Sequence, residues 1–235
     1  MVMRKEKIYE GKAKIVYKTD NPDLFIQYFK DDATAFDATK KGTIKDKGVV
    51  NNRISTILFS LIEKNQIATH FVQFLSDREM LVKKVEIIKV EVTIRNVVAG
   101  GMAKLFGMEE GIVLKEPVLE YHYKEDALHD PLINEYHARV LGIATAEELQ
   151  FIEKTSFKIN NILSDFFAQR KLKLIDFKLE FGRYKGKILL ADEISPDTCR
   201  LWEYGTNKKM DKDRFRRDLG DIEQTYQQVL KIVEE

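Results

Sequence analysis

The stretch Leu174–Gly182 reads LIDFKLEFG, and its charges fall on every second position: Asp176, Lys178 and Glu180. Alternate side chains of an extended strand share a face. Acid, base and acid therefore line one side, with Ile175, Phe177, Leu179 and Phe181 on the other. Shortly after, LLADEISPDTCRLWE (Leu189–Glu203) sets Asp192, Asp197 and Arg200 beside the chain's single Cys and single Trp. If the turn GRYKG folds the two runs into a hairpin with Gly182 opposite Ile188, Lys178 faces Asp192. The carboxylates of Asp176, Glu180 and Asp192 then gather round one ammonium. Such hard oxygen donors suit Mg²⁺, which takes one or two carboxylates plus phosphate oxygens and water. A slip of one residue would turn Asp192 to the far face, and the same alternation also fits a salt-bridged strand facing solvent.

Other segments offer partners for this surface. In IYEGKAKIVYK, Gly11 lets the backbone approach a ligand closely, with Lys12 and Lys14 beside it; an exposed basic strand is the competing reading. DDATAFDATKKGTIKDKG mixes Asp37 and several lysines with glycine, as a lid or as a solvated loop. VEVTIRNVVAGG places Arg95 ahead of Gly100 and Gly101; an arginine fork grips carboxylate or phosphate bidentately. LHDPLINEYH carries His129, Asp130 and His137, but the spacing lacks the Cys or Glu partners of a zinc site. No Ser/His/Asp triad or Cys–His nucleophile is readable.

The elements that must hold these residues follow from pattern. Ile8–Tyr17 and Leu24–Phe29 read as strands, separated by the turn residues TDNP. Asp31–Gly48 reads as a long loop, and Asn51–Lys64 as a helix with Ile54, Ile57, Leu58 and Leu61 on one face. Two or three strands occupy Thr69–Val98. TAEE at Thr145 is a capping box opening a long helix. Strands at Lys173–Phe181 and Lys187–Ile194 form the hairpin, and Asp211–Glu234 reads as a last helix. Pro196 ends strand pairing, Arg200 lies in the loop beyond, and Trp202 packs beneath it. Strands and helices are segregated rather than strictly alternating, which predicts an α+β fold with antiparallel sheets. A boundary near Val82–Val90, placed at residues 85/86, divides the chain into an N-terminal lobe (1–85) and a C-terminal lobe (86–235).

Composition narrows the class. The 235 residues are 44% hydrophobic and 33% charged, with 39 basic against 38 acidic side chains and a net charge of +1. Such balance argues against a bulk nucleic-acid binder. A single Cys excludes an internal disulfide framework. No apolar run is long enough for a membrane span and no signal peptide is readable, so the expected location is the cytoplasm.

Taken together, LIDFKLEFG, DEISPDTCRLW, YEGKAK, DDATAFDATKKG, VEVTIRNVVAGG and HDPLINE resemble the signature blocks of the phosphoribosylaminoimidazole-succinocarboxamide synthase (SAICAR synthetase) family, in that family's order and over essentially the whole chain. The resemblance implies that residues 1–85 form a nucleotide-binding lobe like that of kinases and ATP-grasp ligases, and that 86–235 form the substrate- and metal-binding lobe. It implies a reaction in which ATP, L-aspartate and carboxyaminoimidazole ribotide give ADP, phosphate and the succinocarboxamide ribotide. Carried onto this chain, it implies metal binding by Glu180 and Asp192. Nucleotide contacts fall to Gly11, Lys12, Lys14, Lys124 and Asp130, and substrate contacts to Arg95, Gly101, Asp197 and Arg200. Catalytic positions are Asp176, Lys178 and Asp37. It also implies Mg²⁺ and a homodimer, the C-terminal helix being one candidate contact; with the charge balance and apolar-run length above, small-molecule substrates are the expected partners, without nucleic acid or membrane. One departure stands out: Gly100-Gly101 replaces a frequent Gly-Ser. Read from the residues alone, an ATP-using enzyme with a different acceptor and a non-catalytic nucleotide binder remain alternatives.

Overall fold

The computed structural model describes residues 2–35 and 39–235. Its strands and helices are, in order, β1 (Arg4–Glu10), β2 (Lys14–Thr19), β3 (Leu24–Phe29), β4 (Asp32–Ala35), β5 (Lys40–Thr43), α1 (Lys47–Lys64), β6 (Phe71–Ser76), β7 (Glu79–Lys83), β8 (Glu86–Val97) and α2 (Gly100–Phe106). Then follow β9 (Val113–Tyr123), β10 (Leu132–Ile133), α3 (Glu135–Val140), α4 (Ala146–Gln169), β11 (Leu172–Tyr184), β12 (Lys187–Ala191), β13 (Cys199–Glu203), α5 (Asp213–Arg216) and α6 (Ile222–Glu234).

Every strand pair within these sheets is antiparallel, as the α+β reading requires. One sheet runs β1-β2-β3-β7-β6; the other runs β10-β9-β8-β11-β12, with β13 also paired to β11; β4 and β5 form a separate hairpin. Alternation works as expected on β8: Ile88, Val90, Val92 and Ile94 are fully buried, while Glu91, Thr93 and Arg95 take the opposite face. The apolar face packs against α4 through Leu149, Ile152, Ile159, Leu163 and Phe167, in one core with α1 and α6. Thr145 and Glu148 form the capping box that starts α4.

Several expectations are corrected. Ile8–Tyr17 is not one strand but the β1/β2 hairpin, closed by Gly11 N donating to the Lys14 carbonyl at 2.8 Å. The Asp31–Gly48 loop contains β4 and β5. The final helix breaks between α5 and α6, where Asp218, Gly220 and Asp221 all have positive φ. Its apolar stripe is spent inside the chain, since Tyr226, Val229, Leu230 and Val233 are buried in the main core. Sequence reading missed β9, because Pro117 interrupts its pattern and proline is unusual within a sheet. Arg200 lies on β13, not in a loop, while Trp202 is 5% exposed and does pack inside.

The helix α1 has an unusual start. Its N-cap residue, Asp46, is left-handed and caps nothing with its side chain. Asp31 substitutes from outside the helix: its carboxylate accepts from Gly48 N at 2.9 Å and takes the Arg78 guanidinium at 2.6 and 2.9 Å. This anchor brings α1 so close to β3 that a Cβ on Gly48 would sit 2.3 Å from the Phe29 carbonyl oxygen. Overpacking of this kind costs about 1–3 kcal/mol. Gly48→Ala should therefore lower the urea midpoint by that equivalent at unchanged m-value; an unaltered midpoint would contradict the described packing.

Candidate active site

The long strand β11 carries the site, and its geometry depends on one extra residue. Between Leu174 and Asp176 its pairing with β13 shifts by one. Leu172 and Leu174 belong to the main core, as do Phe177, Leu179 and Phe181. Ile175, expected to share the face of Phe177, instead packs in a second cluster with Val97, Ala99 and Trp202. The bulge thus reverses the alternation, and Asp176, Lys178 and Glu180 face the cleft.

The hairpin register also differs from expectation. Gly182 pairs with Leu189, not Ile188, and Glu180 pairs with Ala191. Lys185 and Gly186 both have positive φ and make the two-residue turn that suits the twist of a hairpin. A plain continuation of β12 in this register would point Asp192 away from Lys178. Asp192 instead has φ 63°, just beyond the end of the strand. That left-handed step returns its carboxylate to 3.6 Å from Lys178 Nζ.

Two charged groups result. In the first, Lys14 Nζ donates to Asp192 and lies 3.0 Å from Glu193. Lys178 Nζ lies 2.7 Å from Glu180 and 3.3 Å from Glu91, and Lys124 Nζ is 2.9 Å from Glu180. Far from being an exposed strand residue, Lys14 has a side chain only 13% exposed. Burial opposes its charge, but Asp192 and Glu193 outweigh burial and raise its pKa above the lysine range. Burial likewise works against Asp192, yet Lys14 and Lys178 hold it below the carboxylate range. Lys178 and Lys124 are also held charged against burial, chiefly by Glu180. Nearby His70 is pushed down to about 3 by burial and by Lys14, so it is neutral.

In the second group, Asp176 accepts from Arg95 at 2.6 Å and from Arg200 at 2.8 Å. Arg95 reaches Glu120 at 2.7 Å, and Arg200 reaches Asp213 at 2.9 Å, which in turn takes Arg216 at 2.6 Å. The result is a chain of alternating sign across β9, β8, β11 and β13. Arg200 Nη2 is tucked under Gly100, where a Cβ would come within 2.4 Å and where φ is +53°. A Cβ on Gly101 meets only Arg95 Nη2, at 3.5 Å, so a larger residue fits there. Arg95 Nε is buried without a partner. A cleft of ≈ 160 Å³ opens between the groups, lined by Glu91, Arg95, Asp176, Lys178, Asp197, Arg200 and Arg216 among others.

The structure therefore gathers Lys14, Lys124, Lys178, Glu180 and Asp192, and beside them Asp176, Arg95 and Arg200. Asp197 lines the same cleft but its carboxylate is tied down from beneath, by Lys47 at 2.8 Å and by the Tyr226 hydroxyl at 2.6 Å. Lys12 stands apart, pairing with Asp126 in the open. Asp130 turns inward to accept from Glu125 N at 2.8 Å, and Gly101 touches the cleft only through Arg95. Asp37 lies outside the described residues. His137 and Asn134 cap α3. Glu120, Glu193, Asp213 and Arg216 were not legible as site residues. Glu193 stood beside Asp192 as a hint, but Glu120 lies on the unread strand.

Phosphoryl transfer needs positioning and charge neutralisation more than covalent help, and the first group offers both. The residues present also fit Mg²⁺. No three His, Cys, Asp or Glu side chains among the described residues form a metal cage by themselves, but Mg²⁺ needs only one or two carboxylates when phosphates supply the rest. Glu180 and Asp192 already converge on one cation, the Lys178 ammonium. Beside them, the arginines suit an anionic second substrate.

Known proteins share much of this sequence and this fold. A family model described as SAICAR synthetase matches residues 7–233. The phosphoribosylaminoimidazole-succinocarboxamide synthase of Thermoanaerobacter sp. (strain X514) is 57% identical over 228 residues, 97% of each chain. The crystal structure of that synthase from Ehrlichia chaffeensis superposes with a TM-score of 0.96 at 48% identity, covering 97% of this chain and 98% of that one. A SAICAR synthetase solved in complex with ADP superposes with a TM-score of 0.94 at 48% identity, covering 97% of each. The fold is that of a nucleotide-using enzyme. The chain belongs to the SAICAR synthetase family.

Cys199, the only thiol, is 3% exposed, and burial pushes its pKa up, with Asp176 and Asp211 adding to the effect. A thiolate is required for reactivity. A thiol reagent at pH 8 should leave the native protein unlabelled over hours and label it at once in urea; rapid native labelling would show that the cleft wall opens there.

Proposed function

We infer that the protein is an ATP-dependent ligase joining L-aspartate to carboxyaminoimidazole ribotide, giving the succinocarboxamide ribotide, ADP and phosphate in purine biosynthesis. The observation that carries this reading is the meeting of Lys14, Lys124 and Lys178 with Glu180 and Asp192, next to the Arg95–Asp176–Arg200 chain, in a member of this family. The ADP complex of a 48% identical relative supports nucleotide binding here.

A carboxylate is a poor acylating agent, so it must be activated. In this reading the ribotide carboxylate attacks the γ-phosphorus of ATP, ADP leaves, and an acyl phosphate forms. The aspartate amine then attacks the acyl carbon and phosphate departs. Lys14 from the N-terminal sheet, Lys178 from the other sheet and Lys124 just past the end of β9 hold phosphate oxygens. Glu180 and Asp192 would hold Mg²⁺, which when bound neutralises charge on the transferring group. Arg95 and Arg200 hold the acidic groups of the acceptors, with Asp176 fixing both guanidinium planes. Gly11 closes the turn that carries Lys14, and Asp130 shapes the turn that follows Lys124. In this reading the five-stranded sheet forms the nucleotide side, and residues from Glu86 onward supply the substrate and metal side.

The same reading places the enzyme in the cytoplasm as a homodimer; among the described residues no helix is long and apolar enough to cross a membrane. The exposed Leu105, Phe106, Ile112 and Val113 support a subunit contact better than the internally packed α6 does.

ADP release should require both L-aspartate and the ribotide, measured with each omitted in turn. Glu180→Gln and Asp192→Asn should each lower kcat by about 10²-fold or more, the scale on which removal of a charge-stabilising group acts. Near-normal kcat in either variant at ordinary Mg²⁺ would remove that residue from the metal site, and turnover with a different acceptor would replace the substrate assignment.

A further inference from the structure

The Asp197 carboxylate is held from three separate elements. Lys47, the first residue of α1, donates to Oδ2 at 2.8 Å; Lys212, just before α5, stands 3.4 Å from the same oxygen; and the Tyr226 hydroxyl on α6 donates to Oδ1 at 2.6 Å. The Asp197 side chain is 3% exposed and that of Lys47 is fully buried. Tyr226 is also fully buried. Burial alone would raise the pKa of Asp197, but Lys212, Lys47 and Tyr226 hold it well below the carboxylate range. The loop around it is locked as well: Asp197 N donates to Ser195 Oγ at 3.2 Å, and Ser195 Oγ donates to Glu193 at 2.7 Å.

This knot sits at the wall of the cleft. Asp197, Thr198, Cys199 and Arg200 are consecutive and all line it. A carboxylate this deeply buried must be paired, and here the pairing also fixes where the cleft wall stands. The three donors fix the rotamer of a residue that lines the cleft beside Arg200. Tyr226 is the only one of the three donors without charge, so its loss changes geometry and leaves the charge balance of the cluster intact.

We propose that Tyr226 is a positioning residue of the active site: its hydroxyl sets the Asp197 carboxylate, and with it the Asp197–Arg200 wall, against the acceptor substrates. The proposal rests on the ligase reading above. The C-terminal helix thereby acts on substrate binding without touching substrate. Neither Lys14 nor Asp192 touches the Asp197 carboxylate; the link to the nucleotide side runs through Ser195 Oγ and Glu193, which lies 3.0 Å from Lys14, and leaves the Tyr226 hydroxyl out.

The test compares wild-type and Tyr226→Phe enzymes side by side, with KM measured separately for ATP, L-aspartate and the ribotide, and melting temperature followed in parallel. The expected result is a rise of about fivefold or more in KM for aspartate, the ribotide or both, with the KM for ATP within twofold of wild type, since loss of one hydrogen bond to a charged group has effects of this order. Unchanged KM values, or an equal rise for all three substrates, would overturn the proposal and leave Tyr226 a purely structural residue. If Tyr226→Phe does not fold, Lys212→Gln loosens the same carboxylate from its other oxygen; the same selective rise supports the proposal and its absence overturns it. Failure of the ligase reading would show differently, as loss of aspartate or ribotide dependence in the wild-type enzyme itself.

Discussion

Charge buried from water must meet opposite charge, because an unpaired buried ion costs several kcal/mol or more. The cleft face of the larger sheet obeys this constraint at every position. Each cation there has at least one carboxylate neighbour, and Asp176, Glu180, Asp192 and Asp197 each have at least two cationic neighbours. The arrangement holds only if several strands and helices are in register at once. Side-chain electrostatics and chain path are therefore one problem here. The bulge at Ile175, the left-handed Asp192 and the bare Gly100 are the backbone concessions that let the charges meet.

The same face explains how positioning and reactivity coexist. Lysines that neutralise carboxylates in one arrangement can present the same ammonium groups to phosphate oxygens in another, while the arginine–aspartate chain stays fixed. Arg95 and Arg200 share Asp176, and Arg200 is clamped further by Asp213. A guanidinium fork suits an anion gripped in one geometry, whereas an ammonium on a flexible four-carbon stem can follow a charge that moves. The two kinds of cation are thus separated in space, with Lys14, Lys124 and Lys178 on one side of the cleft.

Much of this was legible in sequence where period and local chemistry coincide. LIDFKLEFG showed its charged face through alternation, and TAEE showed the start of α4 through its cap. The α+β class followed from element order. What stayed hidden has physical causes. Pro117 masked β9, and with it Glu120. The two-residue turn at Lys185-Gly186 set a hairpin register that spacing alone left open. Successive positive-φ residues at Asp218, Gly220 and Asp221 broke a helix whose apolar stripe ran on regardless. Most of all, Lys14 and Asp192 are 178 positions apart. No local pattern reveals that an N-terminal lysine and a C-terminal aspartate share a hydrogen bond, or that a tyrosine in an ordinary apolar stripe ends on a cleft carboxylate.

The inserted residue at Ile175 carries a wider consequence. Upstream of it, β11 shows one parity of side chains to the main core; downstream it shows the other. A single strand can thereby wall two hydrophobic compartments, the large one under α4 and the small one around Trp202. Deleting any one residue from this segment would exchange inside for outside along half its length, whereas a substitution disturbs only its own neighbourhood. The strand should accordingly tolerate drift in composition far better than any change in length, and divergent relatives should vary here by replacement while keeping the count of residues between Leu174 and Phe177.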